Sequence, residues 1–334
     1  SSDSKLEFTC PVIAGEHIEH EGYLRTRDKE FLIKEIQNDG DYLKVVAILN
    51  IEELTGTPIR NFDTTEETIQ NCIMNAIAGT GYTVEMKSTI TKKRTVRISK
   101  CTVLDVLEEI KETYLVDMEF DTINKKILVY ETLGSDKGSY FMDSINLKRL
   151  DVNTDSYDFF TKIIALGAVD ETTQENLRVE VENHQYSSKT VTMLWVDERY
   201  SVEASLREDA TYKLNELSKP QESYAASIYD LASLNQEYKD ILSYKLGDTI
   251  TLIDANKKIK SKQRIVKTIE YPDNPELNEV ELSNKILTFE DLLKSKKKYE
   301  DTLANITCDN GTISEEAIKS LPKRLSGVRC LSFN

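Results

Sequence analysis

A pattern that returns after 34 residues constrains this chain more than any single motif does. Ile69, Cys72, Ile73, Ala76 and Ile77 fall at i, i+3, i+4, i+7 and i+8, the spacing that lines one face of an α-helix. Val103, Val106, Leu107 and Ile110 fill the matching slots of a second copy, and the alternating Val84 and Met86 are answered by Met118 and Phe120. Each copy reads as one helix followed by a β-hairpin. Together they predict an αββαββ layer over residues 55–131, with both helices on one face of a four-stranded sheet, because half-apolar elements bury their apolar sides against each other.

Helix ends fit that reading. Thr64 and Glu67 have the spacing of a capping box. Gly79 suits the left-handed position after a helix, and Thr80-Gly81-Tyr82 leads into a strand over 82–86. Gly79 and Gly81 are not read as a phosphate loop, which runs strand, glycines, helix; here the helix comes first, and neither GxGxxG nor GxxxxGK[ST] occurs.

A chain of 334 residues exceeds what one core usually organises, so two or three domains are expected. The formal net charge of -15 repels nucleic-acid phosphates and anionic lipid at long range, which argues against free duplex DNA as a ligand and against membrane binding. Cys10, Cys72, Cys101, Cys308 and Cys330 are odd in number and contain no CxxC pair, so neither a zinc knuckle nor a disulfide framework is indicated. Cys72 sits on the first helical stripe and reads as a small buried hydrophobe. The opening residues lack the order of a secretory leader, so the sequons at Asn305 and Asn310 read as accidental.

Alternation predicts strands at 6–10, 31–36 and 42–51, with Asn38-Asp39-Gly40-Asp41 as a turn; a strand so near the first residue suggests a further segment upstream. Strands resume at 145–150, 162–167, 177–181 and 190–196. A helix over 201–217 carries Val202, Leu206, Ala210, Leu214 and Leu217 on one stripe. Strands return at 223–231, 249–253, 264–271 and 280–282. Residues 286–334 read as a helical extension, with Thr312 and Glu315 at capping spacing and too few apolar residues for a core of their own.

Candidate chemistry is sparse. His17-x-x-His20 could share an ion if helical, but it follows Pro11 and Gly15, where a loop is expected. His184 lies in a polar run, and nothing local marks it as the base of a Cys-His pair. Asp151, Asp155 and Asp158 read as a solvated acidic loop rather than a glycosidase pair. Lys257, Lys258, Lys260, Lys262, Arg264 and Lys267 form a basic stretch without interleaved aromatics to stack bases, which fits contact with an acidic protein neighbour or solvation. Neither a catalytic residue nor a cofactor or metal ligand is assigned.

One family has these pieces in this order. Lys5-Leu6-Glu7-Phe8-Thr9, Glu30-Phe31-Leu32-Ile33-Lys34, Ile51-Glu52-Glu53-Leu54, Gly79-Thr80-Gly81-Tyr82, Asn146-Leu147-Lys148, Thr161 to Gly167, Leu246-Gly247-Asp248 and Arg264-Ile265-Val266 together resemble the prophage tail proteins of phages infecting Gram-positive bacteria, often labelled prophage endopeptidase tail. Tyr82 stands where the family often has Trp. The resemblance is also to the N-terminal region of tail-associated lysins, and it marks Gly79, Gly81, Tyr82, Gly167, Gly247 and Asp248 as structural motif residues. It implies an α+β, phage baseplate-hub-like fold: a first β-barrel-like domain from 1–54 with 132–150, the 55–131 insertion, and a second β-barrel-like domain over 151–285 carrying the 201–217 helix. It further implies a homotrimeric ring at the tail tip of a virion, synthesised in the bacterial cytoplasm, that closes the tail tube and lets DNA pass. Distal tail, tape-measure and tail-fibre or lysin proteins would be its neighbours. The endopeptidase label would refer to a fused downstream domain, for which 286–334 leave no room, so an enzyme is not expected. A peptidoglycan hydrolase and a receptor- or carbohydrate-binding tip module are the competing readings.

Overall fold

The computed structural model describes residues 4–156, 159–170, 173–229, 231, 242–271 and 273–284. Asp158 and the expected helices of 286–334, with Cys308 and Cys330, lie outside the described residues. The chain divides after Glu131 into two compact units.

In the first unit, β1 (Lys5–Pro11), β2 (Tyr23–Arg25), β3 (Glu30–Asp39) and β4 (Tyr42–Leu49) form an antiparallel sheet in the order β1-β4-β3-β2. Asp39 pairs with Tyr42 across a two-residue turn in which Gly40 takes φ +63°, as expected of Asn-Asp-Gly-Asp. A short helix α1 (Glu52–Thr55) follows, then β5 (Pro58–Thr68), α2 (Ile69–Ala76), β6 (Thr83–Met86), β7 (Lys93–Thr102), α3 (Val103–Tyr114), β8 (Asp117–Asp121) and β9 (Lys126–Tyr130).

The repeat period holds, since α2 opens at Ile69 and α3 at Val103. The repeating unit differs from the expected one. It is strand-helix-strand, β5-α2-β6 then β7-α3-β8, and the strands form a β5-β7 pair and a β6-β9-β8 sheet instead of one four-stranded sheet. The ten-residue β7 pairs antiparallel with the eleven-residue β5, which satisfies more of its backbone than a four-residue β6 could, and β6 runs parallel to β9. Thr64 and Glu67 accordingly lie in β5 at a register shift, not at a helix start. The reciprocal capping box belongs to the second copy: Thr102 Oγ1 accepts from Asp105 N at 3.3 Å, and the Asp105 carboxylate accepts from Thr102 N at 2.7 Å.

One apolar core runs from Phe31, Val45, Ala47 and Leu54 through Cys72, Ile73, Leu107 and Ile110 to Ile127 and Val129. Residues 5–54 therefore share their core with 55–131. Polar links between the same halves include Thr122 Oγ1 accepting from Glu30 N at 2.8 Å and Lys125 paired with Glu53.

The second unit holds β10 (Tyr140–Met142), β11 (Leu147–Asp155), β12 (Lys162–Val169), β13 (Asn176–Glu182), β14 (Thr192–Val196), α4 (Glu203–Leu217), β15 (Gln221–Ile228), β16 (Thr249–Asp254), β17 (Ile259–Ile269) and β18 (Glu279–Ser283). Six strands form one sheet, β10-β16-β17-β18-β15-β11, over a core of Phe141, Leu150, Tyr224, Ile250, Leu252, Ile265 and Leu282. The expected pairing of 132–150 with 1–54 is corrected here, since Tyr140 to Met142 pair with β16 and Leu147 to Asp155 with β15. The expected placement of the 201–217 helix in that sheet's domain is refined too. Asp155 pairs directly with Gln221, so the intervening segment leaves the sheet and returns to the same point. Within it, β13-β12-β14 and α4 build a separate core from Ile163, Ala165, Val179, Leu206, Ala210, Leu214 and Leu217. The helix stripe is as expected except at Val202, which precedes the helix and is exposed.

Candidate functional site

The residues considered for chemistry are not assembled for it. His17 and His20 are exposed in the turns after a 3-10 stretch, Val12–Gly15, and do not share a helix. Among the described residues no group of three or more His, Cys, Asp or Glu could hold a metal ion. His184 Nε2 stands 3.6 Å from Glu182, and its Nδ1 3.1 Å from the Ser187 carbonyl. Cys72 is buried with its sulfur 3.3 Å from both Thr64 Oγ1 and the Tyr114 hydroxyl, which itself donates to the Glu67 carbonyl at 2.6 Å. Burial raises the Tyr114 pKa above its ordinary value. Asp151 is paired with Arg149 at 2.9 Å on the exposed face of β11.

The six motif residues hold backbone together. Gly79 and Gly81 take φ +85° and +81°, and Tyr82 is buried with its hydroxyl 3.4 Å from the Asn50 carbonyl. A Cβ on Gly167 would stand 2.5 Å from the Tyr200 carbonyl, which accepts from Ala168 N at 2.8 Å. Gly247, at φ +89°, lies so close to the 133–134 backbone that a Cβ would meet the Leu133 carbonyl at 2.5 Å. Asp248 is buried and fixes the same junction, its Oδ1 accepting from Ser135 N at 2.8 Å and its Oδ2 from Lys245 N at 3.0 Å. Arg264 completes it by donating to the Leu133 carbonyl at 3.0 Å and the Gly247 carbonyl at 3.2 Å. Sequence reading singled out Gly247 and Asp248 but missed Gly134, Ser135 and Arg264 as their partners. Arg264 stands in the Arg264-Ile265-Val266 motif of the resemblance, but nothing there ties it to residues 133–135.

Surfaces remain. The basic hairpin joins β16 to β17. Lys262 pairs with Asp136 at 2.5 Å, Lys267 with Glu281 at 2.6 Å, and Lys257 donates to the Leu150 carbonyl. Lys258 and Lys260 are exposed and make no ion pair among the described residues. At the other end of β17, the loop to β18 exposes Glu270, Asp273, Glu276 and Glu279 together with Tyr271 and Leu277. On the three-stranded sheet, Leu194 and Val196 of the edge strand β14 are exposed beside half-buried Ile164 and Leu166, on the face away from α4. A trough on the six-stranded sheet, floored by Ala225 and Ser227 between Arg149–Asp151 and Lys267–Glu281, has a volume near 130 Å³. That is below the several hundred Å³ usual for a small-molecule site.

A family model described as prophage endopeptidase tail matches residues 135–293, most of the second unit. Among solved structures, prophage tail protein gp18 from Listeria monocytogenes EGD-e aligns with a TM-score of 0.68 at 17% identity, covering 90% of this chain and 89% of that one. The tail protein from Neisseria meningitidis MC58 aligns at 0.60 and 11% identity, over 84% of this chain and 87% of that one. The 43 kDa tail protein of prophage MuSo2 from Shewanella oneidensis aligns at 0.58 and 11% identity, over 84% and 88%. No curated protein sequence matches.

Proposed function

We propose that this chain, whose residues 135–293 belong to the prophage endopeptidase tail family and whose fold is that of prophage tail proteins, is a structural baseplate hub of a phage tail. The observation that carries the reading is the fold shared over nearly the whole chain with a prophage tail protein. Three copies form a ring that closes the tail tube, joins it to distal tail, tape-measure and fibre or lysin proteins, and lets DNA pass. The protein is a virion component and has no hydrolytic role of its own.

The six-stranded sheet supports a barrel-like ring element. Its edge strands, β10 and β11, are consecutive in the chain and joined only by residues 143–146. Five lateral steps at about 4.8 Å would set the edges of an open sheet roughly 24 Å apart. The connection is instead a tight turn, with Asn146 Oδ1 accepting from Met142 N at 2.9 Å and Asn146 Nδ2 donating to the Tyr140 carbonyl at 3.0 Å. A sheet so joined must curl toward closure. Light scattering with negative-stain imaging of the purified chain tests the reading: a three-fold ring is expected, and a monomer at every concentration would overturn it.

A further inference from the structure

Opposite charges that make no ion pair among the described residues stand at the two ends of one strand, β17. Along β17 the charges are matched within the chain: Lys262 by Asp136, Lys267 by Glu281, and Arg264 by backbone carbonyls. At its start, Lys258 and Lys260 are exposed and unmatched among the described residues. Beyond its end, Glu270, Asp273, Glu276 and Glu279 are exposed with no ion pair among the described residues, and the sequence holds no Lys or Arg between 268 and 284. The acidic loop also exposes Tyr271 at 41% and Leu277 at 46%, giving apolar area inside a charged rim, the composition of a protein contact. Isolated like charges of this kind in a chain of net charge -15 repel approaching copies unless opposite charge meets them.

We propose that the Lys258/Lys260 hairpin tip of one copy docks on the Glu270–Glu279 loop of a second copy. The occupant is a second copy because both complementary patches are on every chain. The patches differ, so the contact is heterologous, and each copy uses its tip on one neighbour and its loop on the other; such a contact closes a ring when its rotation permits. The inference rests on the hub reading and names an interface within it.

Reversing charge on each side and then on both tests it, by sedimentation and light scattering at low and high salt. Lys258→Glu with Lys260→Glu, or Asp273→Lys with Glu276→Lys, is expected to weaken self-association on the order of tenfold at low salt, with the difference shrinking at high salt. The variant carrying all four changes is expected to recover association. Thermal melts of each variant matching the parent would exclude misfolding, since all four positions are exposed. A parent ring that is indifferent to either reversal, or a fourfold variant that stays dissociated, overturns this interface and leaves the hub reading standing. A parent chain that never associates at low salt overturns both.

Discussion

At the scale of single residues, two glycines with nearly the same φ separate backbone strain from steric contact. Gly79 and Gly247 lie at φ +85° and +89°, yet a Cβ on Gly79 meets nothing within 4 Å, whereas one on Gly247 collides with the Leu133 carbonyl. Gly79→Ala is expected to cost about 1 kcal/mol from the left-handed backbone alone. Gly247→Ala must also push two backbone segments apart and disturb the Asp248 hydrogen bonds, so denaturant melts should show the larger loss, about 3 kcal/mol or more. Tyr200 offers a pH test. Its hydroxyl donates to buried Asp209 at 2.7 Å, and burial followed by the Asp209 charge raises its pKa well above 10. Burial raises Tyr82 and Tyr114 in the same direction. A folded-state pKa above the unfolded one means that the native state holds its proton longer, so the stabilisation is complete below pH 10 and is lost as pH rises beyond it. Stability should therefore fall above about pH 10, and Tyr200→Phe, less stable at neutral pH by about 1–3 kcal/mol, should fall less steeply. The sequence marked Gly79 by its place after a helix and Gly247 only through the family resemblance. It could not mark Tyr200, whose partner is assigned only by packing α4 on its sheet.

At the scale of elements, periodicity was legible and pairing was not. The stripes Ile69-Cys72-Ile73-Ala76 and Val103-Val106-Leu107-Ile110 are buried as their spacing requires, and Leu206-Ala210-Leu214-Leu217 likewise. Alternation identifies a strand's two faces but leaves its neighbour open, which is why β7 was expected beside β6 and is found beside β5. The helix cores give a clear test. Ile73 and Leu107 are 0% and 1% exposed in one shared core, so Ile73→Asp or Leu107→Asp would bury an unpaired carboxylate and cost several kcal/mol, on the order of a domain's whole stability. Glu108→Ala, one residue along α3, removes a partly exposed pair with Lys111 and should stay within about 0.5 kcal/mol. Three equally stable variants in thermal melts would overturn the helix-on-sheet assignment. The proposed contact surface was half legible: the basic run could be read directly, but its matched lysines, and an acidic loop without ion pairs among the described residues, emerge only from contacts across strands.

At the scale of the molecule, the question is what a ring of such chains would do to DNA passing through it. Each Lys or Arg that neutralises a phosphate adds affinity that rises as salt falls, and a conduit lined with free cations would retain its cargo. The net charge of -15 opposes that, although composition cannot place the charge on one surface. Contacts within the chain narrow the matter further. Of the six basic residues in the 257–267 stretch, Lys262 and Lys267 are neutralised by carboxylates, and Lys257 and Arg264 donate to carbonyls, leaving Lys258 and Lys260 as the tip's unmatched charges among the described residues. Two exposed cations without stacking aromatics are too few for tight duplex binding. Gel mobility shifts at low ionic strength, where attraction is exaggerated, are therefore expected to show no retention of duplex DNA at submicromolar protein. Submicromolar binding that disappears when Lys257, Lys258 and Lys260 are changed to Glu would mean that the hairpin meets DNA instead of a neighbouring chain. The proposed lumen would then have to be redrawn around it.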